Sequence, residues 1–297
     1  MPALAPTPTI LTPAQWQPMA AAHAARVAPW LDSHLARLFR GNSHPVYDFL
    51  FTYYSFTPAQ LRRWHPGFGV TLTGPGSDHF LSYPGYVRTP DGITASLSAI
   101  KPSRLPGFQW LLSMLQASAS RPPRFGCYGL HEWAMVYKSA DIRHSKFPLR
   151  LSPADIASVV ESQPLCCTHY DAFRFFTPEA RPLNRHQLER STTTDFEQRG
   201  CLHANMDLYK WAHKLVPLAP SSLIADCFQL ARDIREIDMR ASPYDLSSLG
   251  FPPIPIELPE GRSQYEAFQR HFALRSEPLR NSLMSLLTRK PMLEGMR

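Results

Sequence analysis

The chain has no run of the roughly 18 apolar residues that a membrane-spanning helix requires, which argues against a helical membrane anchor. It also lacks a G-x-G-x-x-G fingerprint, a Walker-A loop, a G-x-S-x-G elbow and any C-x-x-C pair. Nucleotide cofactors, serine-hydrolase chemistry and a zinc ribbon therefore have no support. No five consecutive Lys or Arg occur, so there is no basic tail. Glycine is scarce, at 14 of 297 residues, whereas the 30 prolines are about twice the usual share of roughly 5%. That balance predicts short, sharply started helices joined by rigid, extended connections. The five cysteines (Cys127, Cys166, Cys167, Cys201, Cys227) are odd in number and sit mostly in apolar segments. They read as buried thiols in a reducing compartment. The N-terminal MPALAPTPTILTPAQW has no basic segment followed by a long apolar run, so the expectation is a cytoplasmic protein with no membrane partner.

What is present points to a globular protein. Hydrophobic residues make up 44% and charged residues 19%, with 17 Phe, 11 Tyr and 6 Trp spread along the chain. The net charge of +7 favours a polyanionic partner, DNA first. Basic clusters lie at Arg62, Arg63, His65; at Arg143, His144, Lys146, Arg150; and at Arg181, Arg185, His186, Arg190. The plainer alternative is a solvated, Arg-rich surface.

One helix-start device recurs four times: Thr12-Pro-Ala-Gln, Thr57-Pro-Ala-Gln, Ser152-Pro-Ala-Asp and Thr177-Pro-Glu-Ala. Each offers a capping hydroxyl and a proline at the first helical position, where its missing N–H is not needed. The first helix is expected from Pro13 to Arg40 with an interruption near Pro29. From Gly67 to Ser98, Gly-Pro and Asp-Gly turns separate short Thr/Val/Tyr pieces, which read as loops with two short strands. LPGFQWLLSMLQASAS, GCYGLHEWAMVYK and SPADIASVVESQ read as helices, and CCTHYDAFRFF as a buried strand with His169, Asp171, Phe173 and Phe175 on one face. In SSLIADCFQLARDIREIDMRA the line Leu223, Cys227, Leu230, Ile234, Ile237, Ala241 fits a helical period. Residues 251–260 read as a proline-rich connector, and SQYEAFQRHFALRSEPLRNSLMSLL as a terminal helix or helix pair. The expected fold is mainly α: a tail over residues 1–12, then one helical domain over 13–290 with a short irregular and β segment near 67–98.

Three segments set a histidine beside a carboxylate in apolar surroundings. They are His131 and Glu132 in GLHEWAMVY, His169 and Asp171 in THYDAFRFF, and His203 and Asp207 in LHANMDLYKWAHK. A fourth, ARDIREIDMRASPYD, adds Asp233, Glu236 and Asp238. Unpaired buried charge is costly, so such groups must find one another or share a cavity. On a helix His203, Asp207, Lys210 and Lys214 form one line, which suits a shared ion or a carboxylate that orients an imidazole, and equally an ordinary salt bridge. Glu236 can pair with Arg232 and Arg240, whereas Asp233 and Asp238 have no basic partner four residues on. LHEW is not the H-E-x-x-H zinc motif. HPGFG, at 65–69, is similar in shape to the glycine hairpin of helix-hairpin-helix glycosylases, but VTLTGPG after it reads as strand and turn.

The motifs HPVYDFLFTYYSFTPAQLRRWHPG, RFGCYGLHEWAMVY, HYDAFRFFTPEARPLN, GCLHANMDLYKWAHK and ARDIREIDMRASPYDL resemble the bacterial family named 3-methyladenine DNA glycosylase, over His44 to Leu246. The resemblance implies cleavage of the N-glycosidic bond of an alkylated purine flipped out of DNA, without a cofactor. Such a reaction needs stacking aromatics and one carboxylate that stabilises oxocarbenium-like charge. On that reading Asp207 or Asp238, with His203 and Lys210, form the catalytic group. Trp133, Tyr209 and Tyr244 stack on the base, and Arg62, Arg63, Arg181 and Arg185 hold phosphates. The competing expectation is a helical metalloenzyme binding Fe, Mn or Zn through His131, Glu132, His169, Asp171, His203 and Asp233. A third is a non-catalytic nucleic-acid-binding protein whose polar pairs satisfy one another in the core.

Overall fold

The computed structural model describes residues 9–140, 142 and 146–295; Arg143 and His144 of the second basic cluster, and most of the expected tail, lie outside them. The described part of that tail is not loose chain. Thr9–Leu11 is a strand, β1, paired in parallel with β2 (Val70–Leu72). β2 pairs antiparallel with β4 (Gly92–Ala95), and β3 (Tyr86–Thr89) forms a hairpin with β4, giving the order β1-β2-β4-β3. The segment expected to hold two strands holds three. Gly92 closes the hairpin at φ +137°, and a Cβ there would stand 2.4 Å from the Leu72 carbonyl oxygen.

The rest is mainly helical: α1 (Pro13–Phe39), α2 (Phe49–Tyr53), α3 (Pro58–Arg62), α4 (Leu105–Ser120), α5 (Leu130–Ala134), α6 (Pro153–Ser162), α7 (Tyr170–Phe173), α8 (Thr193–Phe196), α9 (Leu202–Lys214), α10 (Ser221–Arg240), α11 (Pro259–Leu287) and α12 (Lys290–Gly295). No helix is long and apolar enough to cross a membrane among the described residues. Three of the four Ser/Thr-Pro devices start helices: α1, α3 and α6. At the fourth, Thr177 Oγ1 accepts the Ala180 amide, yet only a single turn follows before a short 3₁₀ piece. The expected break at Pro29 does not occur. α1 runs through it, anchored on its buried face by His23, Val27, Leu31 and His34, so tertiary contacts override one missing hydrogen bond.

The larger correction is CCTHYDAFRFF, which is an extended loop followed by the one-turn helix α7. Its alternation of polar and aromatic residues imitates a strand. The segment is held instead by Asn184, whose Oδ1 accepts the Cys167 amide at 2.8 Å and whose Nδ2 donates to the Cys167 carbonyl at 3.1 Å. The buried apolar residues form one cluster that runs in sequence from Trp16 to Met292. At its centre α9 packs against α10 and α11. The helical line predicted for α10 is buried from Leu223 to Ala241.

Candidate metal centre and the cavities beside it

α9 sets the geometry. Its Leu202, Met206, Leu208, Tyr209 and Trp211 are buried, so the polar line of the same helix reaches solvent only at its C-terminal end. It forms a wall between cavities: His203 and Asp207 lie inside, Lys210 is mostly covered, and Lys214 is exposed at the rim. α5 and α10 bring the remaining groups. Gly129, at φ +77°, starts α5, and a Cβ there would be 3.3 Å from both Ala241 Cβ and the Tyr265 ring. Only glycine lets α5 lie that close to the end of α10.

Two groups result. In the first, His131, His203 and Asp238 present donor atoms that lie within 4.8 Å of one another. His131 Nε2 is 3.0 Å from Asp238 Oδ1, and the His131 and His203 rings are 4.4 Å apart, nearly perpendicular. Apart from this ion pair, neither His131 Nε2 nor Asp238 Oδ1 has a polar partner. The other oxygen, Asp238 Oδ2, accepts from Arg235 at 3.0 Å, and the same guanidinium nitrogen donates to Glu132 Oε1 at 2.9 Å. Arg235 is itself buried, 3.9 Å over the Phe49 ring.

The second group joins His169, Asp171 and Asp207, again with donor atoms within 4.8 Å. Here a cation is already in place: Lys210 Nζ donates to Asp207 Oδ2 at 2.5 Å and to Asp171 Oδ2 at 3.2 Å. Tyr54 Oη donates to Asp207 Oδ1 at 2.9 Å, His169 Nδ1 meets Glu197 Oε1 at 2.5 Å, and Arg174 pairs with Asp171. The His169 and His203 rings stack at 5.3 Å, so the groups are neighbours.

The electrostatics separate the three histidines. Burial, with His131 beside it, drives His203 well below the usual imidazole range and keeps it neutral. Burial opposes charge on His131 and His169 as well, but Asp238 raises the first and Glu197 the second. Burial would likewise raise Asp207, yet Lys210 and His169 hold it below the ordinary carboxylate range. Two imidazoles and a carboxylate, the carboxylate oxygen facing one imidazole nitrogen at 3.0 Å, form a mixed N/O donor set suited to Fe(II), Mn(II) or Zn(II).

Three cavities reach these groups. A cavity of about 680 Å³ has His169, Asp171, Glu197, Asp207 and Lys210 in its wall. A second, of about 340 Å³, reaches His203, Glu132 and Arg235 past Phe49 and Tyr53. A third, of about 220 Å³, reaches His131 and His203 and is lined by Cys127, Cys166, Cys167 and Cys201. All five cysteines are free thiols.

Not every expected site residue converges. Asp233 is engaged by Arg275 at 2.5 Å and by Gln229, and Glu132 is taken by Arg235. His203 and Asp207, expected as one pair, fall in separate groups. Trp133 is fully buried with its indole N–H donated to the Ala241 carbonyl at 2.9 Å. Tyr209 and Tyr244 are buried in the core too, so none of the three presents a face for stacking. Arg62 pairs with Asp32 on the surface, Arg63 covers the Tyr83 ring, and Arg181 caps the Arg174 carbonyl; Arg185 is exposed beside the cysteine-lined cavity. Arg232 covers Trp30 and Tyr47, while Arg240 is 4.0 Å from Glu236 as expected.

Sequence reasoning missed Glu197, Tyr54 and Arg235. The first two lie in segments without periodicity. Arg235 had a signal: Phe228, Ala231, Arg235, Asp238 and Ser242 recur at helical spacing, and all are buried. Comparison of the chain with family models, with curated proteins and with solved structures finds no match in any of the three.

Proposed function

We propose that the protein is a metal-dependent enzyme in which His131, His203 and Asp238 hold one divalent ion, Fe(II), Mn(II) or Zn(II). The observation that carries this reading is the buried pair His131 Nε2 and Asp238 Oδ1, which face each other at 3.0 Å with no other polar partner and lie with a His203 ring nitrogen within 4.8 Å of one another. An ion at the meeting point of these atoms and His203 would neutralise the buried carboxylate and take up an imidazole nitrogen from each histidine. Arg235 on Asp238 Oδ2 supplies the outer support that fixes a ligating carboxylate. The bound ion would act as a Lewis acid on a substrate group or a water molecule. The cavities at His203 give access, and His169, Asp207 and Lys210 stand beside the centre for proton transfer. The free thiols accord with a reducing, cytoplasmic setting.

Elemental analysis of tag-free protein, purified and also reconstituted with each ion, tests the reading. About one equivalent of a transition metal is expected, lost in His203→Ala. Protein that stays metal-free with all three ions would overturn it.

The resemblance to the 3-methyladenine DNA glycosylase family supports a second reading, favoured by Asp207 standing ionised in the wall of a large cavity that Trp110 and Trp211 also line. Trp110 and Trp211, rather than Trp133, Tyr209 and Tyr244, would then stack on the base, and Arg181 and Arg185 would meet DNA phosphates. Release of 3-methyladenine from methylated DNA without added metal, abolished in Asp207→Asn, is the expected result. No release above a mock preparation would reject it.

A further inference from the structure

The 680 Å³ cavity has a chemistry that neither its carboxylates nor its histidine accounts for. Around Asp207 and His169 the charges are matched internally by Lys210, Arg174 and Glu197. Toward the rim they are not. Lys214 and Arg190, both exposed, line the cavity, and neither has an ion-pair partner among the described residues. Arg104 is fixed beside them because its guanidinium donates to the carbonyls of Lys214 and Val216. Those bonds cap the end of α9 and leave a third cation at the rim without a carboxylate. The crowding is felt by Lys214, whose ammonium is pushed below the usual lysine range by burial and then by the charge on Lys210.

Aromatic surface adjoins these cations. Trp110, 41% exposed, projects from α4 and meets the Trp211 ring at 5.5 Å in a steep, edge-on arrangement. Lys210 and Lys214 stand 4.3 and 5.2 Å from the Trp211 ring centre, and Arg104 stands 5.4 Å from that of Phe108. A large, half-exposed indole beside unmatched cations satisfies two parts of one ligand: a ring that stacks and an anion that pairs. The volume falls within the range of about 300–1,000 Å³ usual for small-molecule sites.

We propose that this cavity binds a planar aromatic compound bearing one anionic group, a carboxylate or a phosphate, with the ring against Trp110 and Trp211 and the anion among Arg104, Arg190 and Lys214. The site lies on α4, on the segment before α8 and on the last turn of α9, and it needs no ion at His203. It therefore stands or falls independently of the metal centre.

Isothermal titration calorimetry on the full chain, as purified and after chelator treatment, tests it with three probes that share one ring: naphthoate, naphthyl phosphate and uncharged naphthol. Both anions should bind at least about ten-fold more tightly than naphthol, the scale of one good charge-assisted contact, and the tighter of the two identifies the preferred group. Lys214→Gln and Arg190→Gln should bring the anions toward the naphthol value, while Trp110→Leu should weaken all three by a similar factor. All three positions are exposed, and circular dichroism checks that the variants remain folded. Naphthol binding as tightly as the anions, or no probe binding below about 1 mM, would overturn the proposal.

Discussion

His131 Nε2 and Asp238 Oδ1 lie 3.0 Å apart in the core, an ion pair with no other polar partner. Arg235 occupies the other carboxylate oxygen, so the one facing His131 is held in place by its neighbour rather than left free to rotate. Asp238→Asn keeps the shape but removes the charge and replaces one oxygen by an amide. Metal content should fall at least about ten-fold, the scale on which ligand and support changes act in metal sites. Unchanged metal content by mass spectrometry would remove Asp238 from the donor set.

Lys210 does for the second group what an ion would do for the first. Its ammonium bridges Asp207 and Asp171, beside His169 Nε2 at 3.8 Å from Asp207 Oδ2. The centre should therefore take a single ion. Lys210→Met leaves two carboxylates and one imidazole around the vacated space, with only Arg174 left to balance Asp171. Calorimetric titration with Mn(II) or Zn(II) should then give a second equivalent. Stoichiometry unchanged from the parent protein would show that the lysine is not standing in for a cation.

Arg235 carries the largest structural burden. It is 1% exposed and bridges Glu132 and Asp238 at 2.9 and 3.0 Å. Arg235→Met leaves both carboxylates buried without their cation, so a loss of about 3–5 kcal/mol is expected in urea unfolding. Adding Glu132→Gln to that variant removes one of the stranded charges and should recover part of the loss. A double variant no more stable than Arg235→Met would mean that Glu132 does not depend on the guanidinium.

How much of this was legible in the sequence depends on the length of the element. α9 and α10 carry enough residues for their periods to show, and the line His203, Asp207, Lys210, Lys214 does share one side of α9. The partners of that line arrive on α5 and α7, one-turn helices whose conformation is set by distant groups: Asn184 on Cys167, Glu197 on His169, and the close approach of Gly129 to Ala241. No local pattern encodes such contacts, so CCTHYDAFRFF read as a strand. The choice between Asp233 and Asp238 had the same cause. Both lacked a basic residue four positions on, but Arg275 reaches Asp233 from α11, and Arg235 reaches Asp238 from three positions back. Trp133, Tyr209 and Tyr244 looked like site aromatics because they flank site residues in sequence. On a buried helix or turn, adjacent side chains point to different sides, and these point into the core.

The acid limit of stability should be set by histidines held neutral in the fold, His203 among them, and two of those lie remote from the centre. His65 is buried and its imidazole is driven down to about 3, by burial first and then by Arg63, His213 and His23. His213, stacked on Phe56 at 3.9 Å, is driven down to about 4, again mainly by burial, against a backbone hydrogen bond that raises it. In the unfolded chain both take up a proton near pH 6.5, whereas in the folded protein both stay neutral until far lower. The unfolded state thus binds more protons over that window, so stability is complete above about pH 6.5 and declines as the pH falls toward 4 and 3. Each histidine removes up to about 1.4 kcal/mol per pH unit within its window. Asp48 acts later. Burial would raise it, but Arg37 and His34 outweigh that and hold it below the usual range, so its contribution fades only below about pH 4. The urea midpoint should therefore begin to fall near pH 6.5 rather than near 4. His213→Phe, which keeps the stack on Phe56 and cannot titrate, should take its own share of that early slope out of the profile. A midpoint flat between pH 6.5 and 4.5 in the parent protein would show that these imidazoles are not held neutral.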